Sequence, residues 1–319
     1  MRKLFIAMVL ALASAAGIAA ETWPAKAVHV IVPYPPGSSP DLVARMLTDK
    51  LAQALGQPGV VENKPGAGGN IGTGMVAKAE PDGYTIGLSI PGPLAVNTVL
   101  FKKMEYDPFT ELTPITLVAL SPNVLIVNPS LGVNTVKEFI AYAKERPGKL
   151  NYGSVGNGSA SHLTMELLKM QAGIDVLHVP YPGSPQVNTA ILANQIQAGF
   201  VVPGTAMPLV QSGRVKALAV TSLTKSPVLP DLPTIAEAIP GFESSAWIGM
   251  VAPAKTPKAI IDRLNHELVA IIQSADVREK MLRIYFQAIG TPPDALAGLM
   301  RSERDRWAKV IKQSGASAD

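Results

Sequence analysis

The sequence predicts an α/β protein of two lobes with a cleft between them, and three observations carry that expectation. Short β-branched runs alternate with amphipathic helical stretches along most of the chain, the pattern of βαβ units around a parallel sheet. One long apolar run, Ile115 to Val127, is broken at Ser121-Pro122, and the alternation then restarts. A return strand, "SAWIGMVAP" from Ser245 to Pro253, follows the restart, so the middle third of the chain is inserted between the outer two.

Taken in order, the chain opens with Arg2 and Lys3, runs apolar from Leu4 to Leu12 and passes through small residues to Ala19 and Ala20. That is the layout of a secretory signal peptide. Residues 1–20 are therefore expected to be removed and the mature protein to be periplasmic; the run is too short to cross a bilayer core of about 30 Å. Val28 to Val32 reads as a strand, Leu42 to Leu55 as a helix, Val60 to Glu62 as a strand, Ile71 to Ala79 as a helix and Thr85 to Ser89 as a strand. The broken run Ile115 to Val127 fits a strand that crosses from one lobe to the other. Beyond it the expected order is helix Val136 to Glu145, strand Leu150 to Ser154, helix Ala160 to Ala172 and strand Val176 to Val179. Helix Gln186 to Ala193, strand Ala198 to Val202, helix Met207 to Ser212 and strand Ala217 to Thr221 complete the second lobe. Helices Pro257 to Ser274, Val277 to Ile284 and Pro293 to Gln313, charged on one face, fit a wrap over the first lobe. The expected division is residues 21–121 with 245–319 for the first lobe and 122–244 for the second.

Composition narrows the function classes. The 319 residues include no cysteine, which leaves no disulfide framework and no thiolate chemistry in an exported chain. Loss of Arg2 and Lys3 lowers Lys+Arg from 28 to 26 against 24 Asp+Glu, and no basic cluster with interleaved aromatics occurs, so no nucleic acid partner is expected. With 47% hydrophobic residues the chain has ample material for two packed cores.

The stretches with chemical content are loops. "VPYPPGSSPDLVARML" (Val32 to Leu47) places Ser38 and Ser39 at a helix start, with Ser39 the expected N-cap, Pro40 at N1 and Asp41 in the first turn. "NGSASHL" (Asn157 to Leu163), "YPGSPQ" (Tyr181 to Gln186) and "VPGTAMP" (Val202 to Pro208) repeat the arrangement. Taken singly each is a helix cap. Repeated after several strands, they bring free helix N–H groups and hydroxyls to one cleft, a place that favours an anion such as a carboxylate. No acid or base accompanies the serines, as expected where no reaction is intended.

Other motifs are set aside on context. "GAGGNIGTG" (Gly66 to Gly74) resembles a dinucleotide fingerprint, yet Gly72 and Gly74 fall inside an expected helix rather than at a strand-to-helix turn. "YGSVG" (Tyr152 to Gly156) has Tyr in place of the first glycine of a nucleophile elbow; Ser154 with His162 or His178 makes a dyad with no evident third group. His29, His162, His178 and His266 show no metal-ligand spacing. No catalytic residue, metal or cofactor is expected.

With these segments placed, the chain resembles the Bug family, the periplasmic solute-binding proteins of tripartite tricarboxylate transporters. "HVIVPYPPG", "VVENKPGAGGNIG", "AEPDGYTIGLS", "NYGSVGNGSASHL", "HVPYPGS", "SGRVKALAVTS", "LPTIAEAIPGFESSAWIGMVAPAKTP" and "ERDRWAKVIKQSG" occur in the family's order over essentially the whole mature chain. The resemblance implies a periplasmic-binding-protein (Venus flytrap) fold, type II-like with two crossing hinge strands, a carboxylate held by loop amides, hydroxyls and waters, and delivery to membrane permease subunits by a monomer. Carried over by position, the first carboxylate loop is Tyr34 to Asp41, including Pro36, Gly37, Ser38 and Ser39. Ser159 and Ala160, with Ser154 and Gly158, face it from the second lobe, Ser89 ends the third strand, and Tyr181 and Thr205 lie near the ligand's other end. The family's Pro-Pro-Gly-Gly is Pro35-Pro36-Gly37-Ser38 here, its Y-x-G-x-x-P loop is altered around Pro182 to Pro185, and its Gly-Gly is Ala193-Asn194. These departures bear on the ligand, with a dicarboxylate or an aromatic acid favoured. Two alternatives stay open on the residues alone: a secreted serine hydrolase using Ser154, and a periplasmic sensor that docks on a membrane receptor.

Overall fold

The computed structural model describes residues 23–318, so the expected signal peptide lies outside the described residues. The elements run β1 (Val28–Val32), α1 (Ser39–Leu55), β2 (Gly59–Asn63), α2 (Asn70–Ala77), β3 (Thr85–Ser89), α3 (Asn97–Leu100) and β4 (Leu112–Ser121). Then follow β5 (Val124–Val127), α4 (Val136–Lys144), β6 (Asn151–Ser154), α5 (Ala160–Ala172), β7 (Leu177–Pro180) and α6 (Ser184–Leu192). After these come β8 (Ala198–Val201), α7 (Pro203–Gln211), β9 (Lys216–Val220) and β10 (Ala246–Pro253). The chain closes with α8 (Lys258–Gln273), α9 (Ala275–Arg283), β11 (Gln287–Ala288) and α10 (Pro293–Ser314).

Two sheets result, of order β11-β4-β10-β3-β1-β2 and β7-β6-β8-β5-β9. β1 pairs in parallel with β2 and β3, and β6 in parallel with β7 and β8, so each sheet has a parallel block whose carboxyl ends open into helix-starting loops. β10 runs antiparallel between β3 and β4, and β5 antiparallel between β8 and β9. The apolar run Ile115 to Val127 is divided between sheets: β4 ends at Ser121, Pro122 breaks the ladder, and β5 begins in the second sheet. The return passes from β9 to β10. Both passages are tied by buried bonds, with Asn123 N–H donating to Thr221 Oγ1 at 2.8 Å and Thr221 Oγ1 to the Ser244 carbonyl at 2.9 Å. Thr164 Oγ1 of α5 reaches Ser244 Oγ at 2.5 Å. These uncharged bonds fix the crossing without burying a charge.

Several expectations are corrected. Ser38, not Ser39, is the N-cap of α1, which moves Pro40 to N2, another helix position whose N–H has no intrahelical acceptor. α7 begins at Pro203 rather than Met207, because proline suits N1; Thr205 is therefore in the first turn of the helix and not at a loop tip. α2 ends at Ala77. The π-turn Gly92–Val96, α3 and the short β11 carry no periodic signal and were not expected. The last helix does more than cover the first lobe. It packs on β4 and on α5, and its Trp307, Val310 and Ile311 share a buried cluster with Leu163, Leu167 and Phe200 around the second sheet. Val96 and Leu100 join that cluster from the first half of the chain.

Candidate functional site

The loop after β1 is shaped by its own sequence. Ser38 N–H donates to the Pro35 carbonyl at 3.2 Å, with Pro36 and Gly37 (φ +79°) as the central residues, the proline-then-glycine preference of a type II turn. Asp41 locks the turn from inside the helix. Its buried carboxylate accepts from Gly37 N–H at 2.8 Å, Arg45 Nε at 3.1 Å and Asn63 Nδ2 at 2.9 Å, while Asn63 Nδ2 also donates to the Tyr34 carbonyl at 2.9 Å. Burial works to raise the Asp41 pKa, but the bonds from Arg45, Gly37 and Asn63 and the Arg45 charge outweigh it, so the carboxyl sits below its ordinary value. Asp41 thus spends its lone pairs on the loop; it positions the loop, and a carboxylate ligand would be repelled by it.

What the loop offers is donors. The first-turn N–H groups of Ser39 and Asp41 have no intrahelical acceptor, and Ser38 makes no capping bond. Ser38 Oγ is buried and has no hydrogen-bond partner among the described residues. A buried hydroxyl left so costs about 1–3 kcal/mol unless a ligand satisfies it. Tyr34 ties this loop to the one before α2, its hydroxyl donating to the Gly68 carbonyl at 3.1 Å and its pKa raised by burial. Ser89, expected at the site, is turned inward, buried against Thr73 Oγ1 at 2.9 Å, where it fastens α2 to β3.

The loop after β6 is a closed network. Ser159 caps α5, accepting from His162 N–H at 3.3 Å and donating to the Gly156 carbonyl at 2.7 Å, so its proton is used within the loop. The groups left open are the backbone N–H of Ala160 and Ser161 at the start of a 13-residue helix, where the macrodipole adds positive character. Gly158 (φ +72°) donates to His162 Nδ1 at 2.9 Å and lies against α3: a Cβ there would fall 2.6 Å from Leu100 Cδ2. Ser161 Oγ accepts from Val155 N–H at 3.1 Å.

Ser154 is fully buried, 2.6 Å from His178 Nε2 and bonded to both the N–H and the carbonyl of Gly156. The dyad distance is met, but burial and the neighbouring His162 push His178 down to about 4, too weak a base to activate a serine near neutral pH. Glu166 is occupied by Tyr152 and Lys169 and touches neither ring nitrogen of His178. Ser154 therefore supports the loop. Tyr181 N–H donates to the Ser154 carbonyl at 2.8 Å, which carries the next loop beside the first. Sequence reasoning missed Asn188, buried on α6, which donates to the Thr205 carbonyl at 3.2 Å and leaves its Oδ1 unpartnered; an interior Asn next to apolar Val187 was its only signal. Thr205 Oγ1 donates to the Val202 carbonyl at 3.2 Å.

A cavity of about 520 Å³ lies against α2, lined by Ile71, Met75, Phe101 and Met104 among others. Its wall is mostly apolar, with Asn70 at the start of α2 and the charged Lys78, Lys103 and Glu105 also lining it. Among the described residues no cluster could hold a metal ion and no helix is long and apolar enough to cross a membrane.

The family described as "Tripartite tricarboxylate transporter family receptor" matches residues 43–316. A solved structure described as R. palustris Rpa4515 with adipate is 36% identical, with TM-score 0.79, covering 92% of this chain and 99% of its own. The periplasmic binding protein BugD is 36% identical with TM-score 0.74, covering 92% of this chain and 99% of its own. MatC (Rpa3494) from Rhodopseudomonas palustris with bound malate is 32% identical with TM-score 0.74, covering 91% and 100%.

Proposed function

The chain belongs to the tripartite tricarboxylate transporter receptor family, and from that premise we propose that it holds a small dicarboxylate across the cleft between its sheets and passes it to membrane permease subunits. The family is one of extracytoplasmic solute-binding proteins and not of enzymes. One observation carries the ligand reading: two helix N-termini, α1 and α5, on different sheets, each open at its first turn, with the buried hydroxyl of Ser38 unpartnered beside one of them. Adipate and malate, the ligands of two similar structures, are both dicarboxylates.

In this reading one ligand carboxylate accepts from Ser38 Oγ and the N–H groups of Ser39 and Asp41, and from the N–H groups of Ala160 and Ser161. Tyr34, Pro36 and Gly37 wall that end, and Tyr181 and Thr205 lie toward the other. Gly158 and Ser159 shape the second loop, while the side chains of Asp41, Ser89 and Ser154 support rather than touch the ligand. Charge-assisted bonds from neutral donors suffice without an arginine. The two sheets with their helices move as two bodies about the paired crossings at Asn123 and Ser244, as a monomer, so that ligand contact with both bodies shifts the equilibrium toward closure. Val96, Leu100 and the Trp307 to Ile311 end of α10 stay in the second sheet's core rather than following the expected 121/122 and 244/245 boundaries.

The test is thermal unfolding of the mature, ligand-stripped protein against aliphatic and aromatic mono-, di- and tricarboxylates. A ligand at 100 times its dissociation constant adds about 2.7 kcal/mol, a rise of a few degrees in a protein of this size. Stabilisation by dicarboxylates alone is expected. A flat response to every carboxylate would overturn the reading.

A further inference from the structure

We infer that His162 is a positioning residue for the anion loop and that the loop keeps its shape only while this imidazole is neutral, so that acid loosens the ligand through His162. The effect on ligand rests on the carboxylate reading above; the effect on the loop does not.

Gly158 N–H donates to His162 Nδ1 at 2.9 Å, so Nδ1 must carry a lone pair. An imidazolium has a proton on both nitrogens and accepts nothing, which would leave two N–H groups facing each other across that gap. The same residue's backbone N–H is the one capped by Ser159, whose hydroxyl in turn holds the Gly156 carbonyl. Ring and main chain of His162 therefore fix both ends of the segment that presents the Ala160 and Ser161 amides.

The surroundings keep the ring neutral. His162 is buried, and the His178 ring stacks on it at 4.1 Å with 12° between planes, so a charge on one opposes a charge on the other. Tyr152 of β6 stacks on His178 at 4.9 Å. The charged groups facing the pair are Glu166 and Lys169 of α5, which bond each other at 2.8 Å. α3 and α10 pack apolar residues, Leu100 and Trp307 with Val310, into the same cluster. Burial lowers the His162 pKa first, Lys169 adds to this and Glu166 opposes it, which places its protonation below pH 6.5. A bound carboxylate attracts an imidazolium and so opposes release, but it acts through space, whereas the lost bond lies inside the loop.

The experiment compares His162→Asn, whose Oδ1 takes the place of Nδ1 without titrating, with His162→Leu and the unmodified protein. Dissociation constants for adipate and malate are measured from pH 7.5 to 4.5, with amide exchange at Gly158 in the ligand-free proteins. At pH 7.5 the Asn variant should bind within about threefold of the unmodified protein and the Leu variant at least about tenfold more weakly. Below the His162 pKa the unmodified protein should weaken by up to about tenfold per pH unit beyond the Asn variant, since ligand ionisation is common to both. Identical pH profiles, or undiminished binding by a folded Leu variant, would overturn the inference. If neither acid binds the unmodified protein, the carboxylate reading fails and exchange decides. Gly158 protection lost with acid in the unmodified protein and kept in the Asn variant supports the positioning role; equal protection in both overturns it.

Discussion

Gly158→Ala probes the contact that fastens the second loop to the first half of the chain. Two terms add. Gly158 has φ +72°, where a residue with a Cβ loses about 1–2 kcal/mol. The new Cβ would lie 2.6 and 2.8 Å from the two δ-carbons of Leu100, which is 6% exposed and packed in the second core, and overpacking of this kind costs about 1–3 kcal/mol. The expected loss is about 2–5 kcal/mol in equilibrium urea unfolding. Leu100→Ala separates the terms, because it removes the clash but not the backbone strain. The double variant should then be about 1–3 kcal/mol more stable than the sum of the single changes allows. A Gly158→Ala protein within about 0.5 kcal/mol of the original, or strictly additive single changes, would refute the close approach of Gly158 to α3.

Further outcomes follow from the same geometry. Asp41→Ala leaves Arg45, Asn63 and the Gly37 N–H without their shared acceptor and should destabilise by about 3 kcal/mol in chemical denaturation, with ligand binding lost as the turn relaxes. Ser38→Ala should do the opposite of a structural change: stability stays the same or rises slightly because an unpartnered buried hydroxyl is gone, while carboxylate affinity by calorimetry falls by about 1.5–3 kcal/mol. His178 is held to about 4 in the folded chain against 6.5 unfolded. The unfolded chain therefore takes up the proton first, so its contribution to stability is complete above pH 6.5 and is lost as the pH falls toward about 4. Urea midpoints at pH 7.5, 6 and 5 should fall accordingly, and less so in His178→Gln.

Much of the architecture was legible because it rests on periodicity. The strands Val28–Val32 and Thr85–Ser89 and the helix Ala160–Ala172 have the expected bounds, and the break at Ser121-Pro122 marks a real change of sheet. Elements without a repeat were not legible: the π-turn Gly92–Val96, α3 and β11 are too short for one. The path of α10 across to α5 depends on which core Trp307 enters, and an amphipathic pattern does not name its partner. At the site, residue types were readable and directions were not. Ser38 follows β1 and Ser89 ends β3, both hydroxyls near a strand's carboxyl end, yet one is unpartnered at a helix start and the other is bonded to Thr73. The residue type of Asp41 does not tell that its carboxylate is occupied by Gly37, Arg45 and Asn63, which leaves its backbone N–H as the open group.

The central claim is that ionised carboxylate is what the paired helix N-termini hold. Calorimetric titration of the mature protein at pH 7.5 with adipate and malate, each beside its dimethyl ester, tests it most directly. The account predicts one-to-one binding of at least one acid and at least about a hundredfold weaker binding of its ester, the loss of two charge-assisted hydrogen bonds. Equal binding of acid and ester, or heat from neither acid, would contradict it.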